Sequence, residues 1–210
     1  HYNWHWFWDF GGGEMANNGS HSVDVCFWAL GKDKGLPSRV VSTGGRYGYK
    51  DQAQTPNTQA TIWEYPDGTI VQGEIHGLYS AEPRTWRFYG TKGYMEMREH
   101  GLFEVYLDGS KKPEPSLKAP EPPTESYRPI DRAQFENWTE AVRAGRADSL
   151  NAEIEDVHLS NSFCHLANVS YRLGRELRFD PAARRFSGDD EANRLLRRKY
   201  HPEFALPRSV

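Results

Sequence analysis

Cysteine is scarce. Cys26 and Cys164 are the only two among 210 residues, too few for a disulfide scaffold or a cysteine-based zinc site. Both sit among apolar neighbours in segments that read as helix, where a thiol behaves as a small buried hydrophobe. Long apolar runs are missing too. The stretch from Val23 to Leu30 is short and contains Asp24, far below the ~20 residues that a membrane-spanning helix needs, so no membrane segment is expected. Nor does charge of one sign dominate. With a formal net charge of -3 and both signs interspersed, no basic stripe offers itself to a phosphate backbone, and nucleic acid is not an expected partner. The chain opens at His1 on an aromatic run, with neither an initiator Met nor a charged-then-apolar signal pattern, which reads as an internal start. A cytoplasmic protein is expected, and the periplasm stays open because the native N-terminus is missing.

What is present suffices for a core: 37% of the residues are hydrophobic, enough at this length for one large soluble domain or two small ones. Glu14 to Leu30 has helical spacing, with Gly11-Gly12-Gly13 as a tight start and Gly31 as a stop. Six segments then carry β-branched residues and partial alternation: Arg39 to Thr43, Thr58 to Glu64, Thr69 to Ile75, Arg84 to Tyr89, Tyr94 to Arg98 and Leu102 to Leu107. Pro66-Asp67-Gly68 is a hairpin signal. Short turns between successive strands imply an antiparallel sheet.

Residues 109 to 129 are rich in Pro, Lys, Glu and Ser and read as a surface loop. Asp131, with Gln134 three residues on, starts a helix that puts Phe135, Trp138 and Val142 on one face and ends at Gly145. A longer helix over roughly 151 to 173 is apolar around most of its circumference and ends at Gly174. Leu177 to Phe179 and Arg185 to Phe186 suggest short strands, Asp189 to Arg198 a last helix, and the tail to Val210 an extended arm. The fold class expected is α+β: a mostly antiparallel open sheet with helices packed on one face, all within a single domain over residues 1–210.

The first helix carries the chemistry. At 100° per residue Asn17, His21 and Asp24 fall within ~60° of one another, flanked by Glu14 and Trp28. Met15, Gly19, Cys26, Ala29 and Leu30 lie opposite, so the small and apolar side should pack on the sheet. An imidazole beside an amide and a carboxylate suits alcohol oxidation: a hydroxyl losing hydride must also lose a proton, and His titrates nearest neutrality. Asp24 could orient the ring, and Asn17 could hydrogen-bond a substrate hydroxyl. Spacing alone favours a plainer reading, a solvated His21–Asp24 pair on a surface helix.

Resemblance shifts that balance. The stretch from Gly11 to Asp24 with Trp28-Ala-Leu-Gly31 resembles the first helix after the nucleotide-binding domain in the glucose-fructose oxidoreductase, inositol dehydrogenase and MocA (Gfo/Idh/MocA) family. The likeness continues through Gly44-Gly-Arg-Tyr47, Phe88-Tyr-Gly-Thr-Lys-Gly93, Leu166 to Gly174 and Glu191 to Leu196. It implies the glucose-fructose oxidoreductase C-terminal-domain fold in an NAD(P)-dependent enzyme acting on a sugar or polyol. His21 would be the proton-transfer residue and Asn17 a substrate hydrogen-bonder, where many relatives have Asp. The cofactor, NAD or NADP, would be bound mainly by an upstream nucleotide-binding domain not present here, so this fragment alone is expected to be inactive. The open sheet face would mediate homo-oligomers. An NAD-dependent glycoside hydrolase of the same family, or a non-catalytic carbohydrate-binding or oligomerisation module, is the alternative.

Further substrate contacts are expected from Asp24, Trp6, Arg46 and Tyr47. Trp4, Trp6, Phe7 and Trp8 with His5 form a dense aromatic run that suits either a wall for a sugar ring or packing at a domain junction. Arg46, Tyr47 and Asp51 follow a strand, where a loop can reach a cleft. Three other signals are set aside. Gly11-x-Gly13-x-x-Ala16 matches a degenerate dinucleotide fingerprint but lacks the aliphatic strand before it. His158, His165 and Glu155 share a face of the long helix, but two turns is a long reach for one metal ion, and no metal is expected. The sequons at Asn137 and Asn168 fall inside predicted helices.

Overall fold

The computed structural model describes residues 2–48, 50–79, 84–98, 102–117, 128–198 and 200–204, with 128–131 described by backbone alone. The chain forms two compact units, one comprising residues 1–79 and 155–210 and the other residues 80–154.

In the first unit, a 3-10 turn over Tyr2–Trp6 leads into α1 (Gly13–Leu30). Strands β1 (Arg39–Gly45), β2 (Thr58–Glu64) and β3 (Ile70–His76) follow. The second unit holds β4 (Thr85–Gly90), β5 (Gly93–Arg98), β6 (Phe103–Leu107) and α2 (Arg128–Ala144). The first unit resumes with α3 (Ile154–Leu173), β7 (Leu177–Asp180), β8 (Arg185–Phe186) and α4 (Asp190–Leu195).

Among the described residues every strand pairing is antiparallel, but the strands divide into two sheets. One is five-stranded in the order β3-β2-β1-β7-β8 and the other three-stranded in the order β4-β5-β6. The six consecutive segments therefore do not continue one sheet: the second neighbour of β1 is β7, with Val40 opposite Leu177.

Alternation fixes which face of the larger sheet is covered. Val40, Trp63, Val71 and Leu177 fall in one cross-strand row and all are buried. Phe163 of α3 lies against them, its ring 5.8 Å from that of Trp63 and 6.3 Å from Phe27 of α1. Complete burial of a side chain this size is worth about 1.5–3 kcal/mol. The opposite face shows Thr43, Ala60, Ile62, Ile70 and Glu74 to solvent, the side expected to be open.

α1 buries Met15, Gly19, Val23 and Phe27, a row at i, i+4, i+8 and i+12 that makes one stripe. The stripe lies about where the spacing placed it, although Ala29 is exposed. Gly19 is the point of closest approach. A Cβ there would stand 3.2 Å from both Ile75 Cδ1 and Met15 Sδ, so the helix sits close on β3 and a side chain at this position would have to push those ends aside.

Several boundaries move. α2 begins at Arg128, three residues before the expected cap at Asp131, whose side chain lies outside the described residues. Proline is tolerated in a first helical turn, so Pro129 belongs to the helix and not to the loop. The central part of that loop, 118–127, and the tail from 205 also lie outside the described residues. Phe135, Trp138 and Val142 share a face of α2 as expected, but all three are exposed. α4 is shorter than the 189–198 expected, and Asp189 caps it by accepting from the Ala192 amide at 3.0 Å. Among the described residues no helix is long and apolar enough to cross a membrane.

Candidate functional site

With one side of α1 committed to the core, the other carries the residues singled out by spacing. Asn17 and His21 are exposed, Asp24 is half-buried, and Trp28 is 61% exposed. Among the described residues neither Asn17 nor His21 makes a side-chain hydrogen bond, and His21 is not bonded to Asp24. The expected orienting contact is therefore not formed, and the ring and the amide remain able to bond something else. Glu14, one turn earlier, accepts from the amide of Asn18.

A second cluster forms around Trp6 and Arg46. The Trp6 carbonyl accepts from the backbone amides of Gln54 at 2.9 Å and Thr55 at 3.2 Å, tying the N-terminal turn to the loop after β1. Arg46 grips Asp51 with two nitrogens, Nε to Oδ1 at 2.6 Å and Nη2 to Oδ2. Its Nη1 donates to the Thr55 carbonyl at 3.1 Å, and the guanidinium lies over the Trp6 ring. This ion pair holds the Asp51 carboxyl below its usual range, chiefly through the hydrogen bond from Arg46.

Tyr47 is 52% exposed, but its backbone is clamped. Its N–H donates to Asn57 Oδ1 at 3.0 Å and its carbonyl accepts from Asn57 Nδ2 at 2.9 Å. Near it, the guanidinium of Arg172 stands 5.0 Å over the Trp8 ring, and Trp8 lies 6.3 Å from Tyr171. The aromatic run is thus divided: Trp6 and Trp8 are half-buried in these contacts, while Tyr2 and Trp4 project outward.

The structure joins Trp6 to Arg46 and Asn17 to His21 as two groups, with Tyr47 on the loop beside the first. The clamp by Asn57 and the stacking of Arg172 gave no sequence signal. Arg172 and Trp8 are far apart in the chain, Asn57 and Tyr47 face each other across the β1–β2 connection, and neither residue type announces such a role.

The remaining signals find structural roles. Asn168 is buried, and the Asn137 amide donates to the Ser149 carbonyl at 2.7 Å. Glu155 faces Arg184 at 3.4 Å. His158 and His165 are both exposed on α3.

The Gly11–Gly13 turn does not fit the pyrophosphate of a dinucleotide. A Cβ on Gly11 would meet the His5 backbone at 2.5 Å, and one on Gly13 would meet Thr55 Cβ at the same distance. These glycines are required by the chain's own packing and not by a ligand's approach. The parallel strands that a dinucleotide fold needs are also missing among the described residues, where all pairings are antiparallel.

Comparison with known proteins agrees with this architecture. A family model described as "GFO/IDH/MocA C-terminal domain" matches residues 1–96. Another, "Oxidoreductase family, C-terminal alpha/beta domain", matches residues 117–206. No curated protein sequence matches the chain.

Solved structures do. Aldose-aldose oxidoreductase from Caulobacter crescentus, complexed with glycerol, aligns over 84% of this chain and 50% of its own, with a TM-score of 0.63 and 17% identity. Levoglucosan dehydrogenase in complex with NADH and L-sorbose aligns over 83% and 52%, with a TM-score of 0.64 and 12% identity. An oxidoreductase from Agrobacterium radiobacter in complex with NAD+, L-tartaric acid and magnesium aligns over 78% and 48%, with a TM-score of 0.57 and 15% identity. The chain spans about half the length of these proteins. Both its halves and its fold therefore lead to one assignment: the chain belongs to the Gfo/Idh/MocA oxidoreductase family and is of the C-terminal-domain type.

Proposed function

We propose that the protein carrying this chain is an NAD(P)-dependent oxidoreductase of a sugar or polyol, and that the 210 residues serve together as its substrate-binding and oligomerisation domain. The observation that carries the proposal is the two-sidedness of α1. Its buried row of Met15, Gly19, Val23 and Phe27 fixes the helix on the core while Asn17 and His21 face outward. The carbohydrate-type ligands of two structural neighbours, glycerol and L-sorbose, favour the same substrate class.

In this reading the cofactor is held outside these residues, and the chain's own part is to bind, orient and move a proton. His21 accepts the hydroxyl proton as the substrate carbon is oxidised and returns it in the reverse direction. Asn17 donates its amide N–H to a neighbouring substrate oxygen but cannot take its proton. Asp24 lines the same stripe. Tyr47 and Trp6 offer ring faces to the sugar. Arg46, with three nitrogens already donating, acts mainly by holding Trp6 and the loop of Tyr47 in place. The exposed sheet face with Ile62 and Ile70 would bury itself against a second copy, since a broad half-apolar sheet is poorly stable in water.

The test uses the full-length protein: sugars and polyols are screened with NAD and NADP, following cofactor absorbance. Turnover of a carbohydrate that is lost in His21→Ala is the expected result. Wild-type activity in His21→Ala would end the catalytic assignment. Sugar release without net reduced cofactor would move the protein to the glycoside-hydrolase branch.

A further inference from the structure

The second unit carries an aromatic row of its own. Register sets Tyr89 of β4 opposite Tyr94 of β5, and Tyr94 opposite Tyr106 of β6, so all three stand on one face of the three-stranded sheet. Phe88, Met95 and Val105 fall on the other face and are half-buried, so the apolar side of this sheet is the one without the tyrosines. The rings of Tyr94 and Tyr106 are stacked, with centroids 4.7 Å apart and planes at 6°. Tyr89 stands 6.0 Å from Tyr94 at 33°. Cross-strand aromatic pairs stabilise a sheet, which accounts for the stacked two. It does not account for Tyr89, which ends the row 77% exposed. Braced from one side by Tyr94, its ring is a plate already set in place for a ligand.

The charges beside the row select what it takes. Two residues along each strand, Arg87 donates Nε to Glu96 Oε2 at 2.9 Å, and Glu104 accepts from the Tyr106 hydroxyl at 3.0 Å. Arg98 Nη2 lies 3.6 Å from Glu96 Oε1. Both arginines are thus engaged on one carboxylate, and a phosphate or carboxylate ligand is not favoured. The Glu104 carboxylate has lone pairs for more than one donor, which suits hydroxyl groups. The footprint is small as well. Three strands about 4.8 Å apart, with five or six residues at about 3.4 Å each, span about 250–300 Å², whereas a stable protein partner covers about 800 Å² on each side. An uncharged ligand with an apolar ring face and many hydroxyls meets these conditions together, and that is a sugar. One stacked ring is too little to hold a free monosaccharide against the entropy of association. A chain laid along the row touches Tyr94 and Tyr106 too.

We propose that the row of Tyr89, Tyr94 and Tyr106 is a binding surface for a neutral oligosaccharide chain, with Tyr89 stacking one sugar ring and Glu104 accepting from hydroxyls further along. The surface lies wholly within the second unit, and its case does not depend on the roles given to Asn17 and His21.

Affinity electrophoresis of the full-length protein tests it, in native gels containing hydroxyethylcellulose, xylan or glycogen. Retardation by at least one of these polymers is expected. Tyr89→Ala should weaken it about 10-fold, and Tyr89→Phe, which keeps the ring face, should retain it. No retardation in any of the three gels overturns the proposal, as does a Tyr89→Ala protein retarded like wild type. Size-exclusion chromatography separates a sugar from a second copy: if Tyr89→Ala splits an oligomer, the row is a contact between copies and the proposal falls. Tyr89 has no part in the proposed turnover, so cofactor-linked activity on a monosaccharide should be the same in Tyr89→Ala and wild type. Failure to find any such activity would count against the proposed function and leave the gel result to decide the surface.

Discussion

The guanidinium carbon of Arg46 lies 5.7 Å from the centre of the Trp6 ring. Arg46 therefore supports, in one contact, an aromatic face and the loop that carries Tyr47, with Asp51 holding it from the other side. The planar fork of Arg makes both contacts at once and the ammonium of Lys does not. Under the proposed carbohydrate role, Arg46→Lys in the full-length protein should raise KM about 10-fold, the loss of one charge-assisted bond of about 1.5 kcal/mol.

The same pair sets a pH dependence. Arg46 lowers the Asp51 pKa in the folded protein, so the ionised carboxylate favours the folded loop. That contribution is complete above the ordinary value of 3.8 and is lost as pH falls through the lowered folded value. NMR titration of the Asp51 carboxyl should give a midpoint below 3.8, and Arg46→Gln should return it to the ordinary range. An ordinary midpoint in the wild-type protein would show that the ion pair does not persist in solution.

His21 is exposed, so its replacement should separate activity from stability. The proposed proton-transfer role predicts that His21→Gln in the full-length protein lowers kcat by about 10²–10⁴-fold. Its unfolding free energy should stay within about 0.5 kcal/mol of wild type. A large stability loss measured by denaturant titration would mean that the ring packs internally.

Gly13 combines a φ of +65° with a Cβ position 2.5 Å from Thr55 Cβ. Gly13→Ala meets both penalties and should cost about 2–4 kcal/mol, from left-handed strain plus displacement of a buried side chain. Urea unfolding measures it directly. A cost under about 0.5 kcal/mol would mean that the α1 start relaxes freely.

Both thiols should resist reagents in the native state. Burial pushes Cys26 up to about 11 and Cys164 up to about 12, leaving little thiolate at neutral pH. Labelling with a thiol-reactive probe should be slow in buffer and should reach both cysteines in denaturant. Rapid native labelling of Cys164 would contradict its burial.

Local pattern made much of this legible. The 3.6-residue period of α1 placed its outward stripe and, through Met15 and Gly19, the side that packs, but it did not single out Val23 and Phe27, which complete the buried row. The Pro66-Asp67-Gly68 turn placed the β2–β3 hairpin, whose Tyr65 amide bonds the Thr69 carbonyl at 2.9 Å. What local pattern could not give was partnership. β1 pairs with β7 because their side chains share one core, and nothing near Val40 encodes Leu177 as its opposite number. Two supports of the candidate site are equally non-local, Arg172 over Trp8 and Asn168 at Gly12, and the local one, Asn57 under Tyr47, is likewise recognised by geometry and not by spacing. The exposure of Phe135, Trp138 and Val142 shows the converse limit, since period alone finds an apolar stripe without saying what meets it.

The contact of Gly19 with Ile75 makes the underside of α1 a lever. A side chain added at Gly19 must displace the ends of Ile75 and Met15, and only what those ends cannot yield is passed to the helix that carries Asn17 and His21. The footing of those two groups lies behind them, where Ile75 Cδ1 and Met15 Sδ leave Gly19 little room.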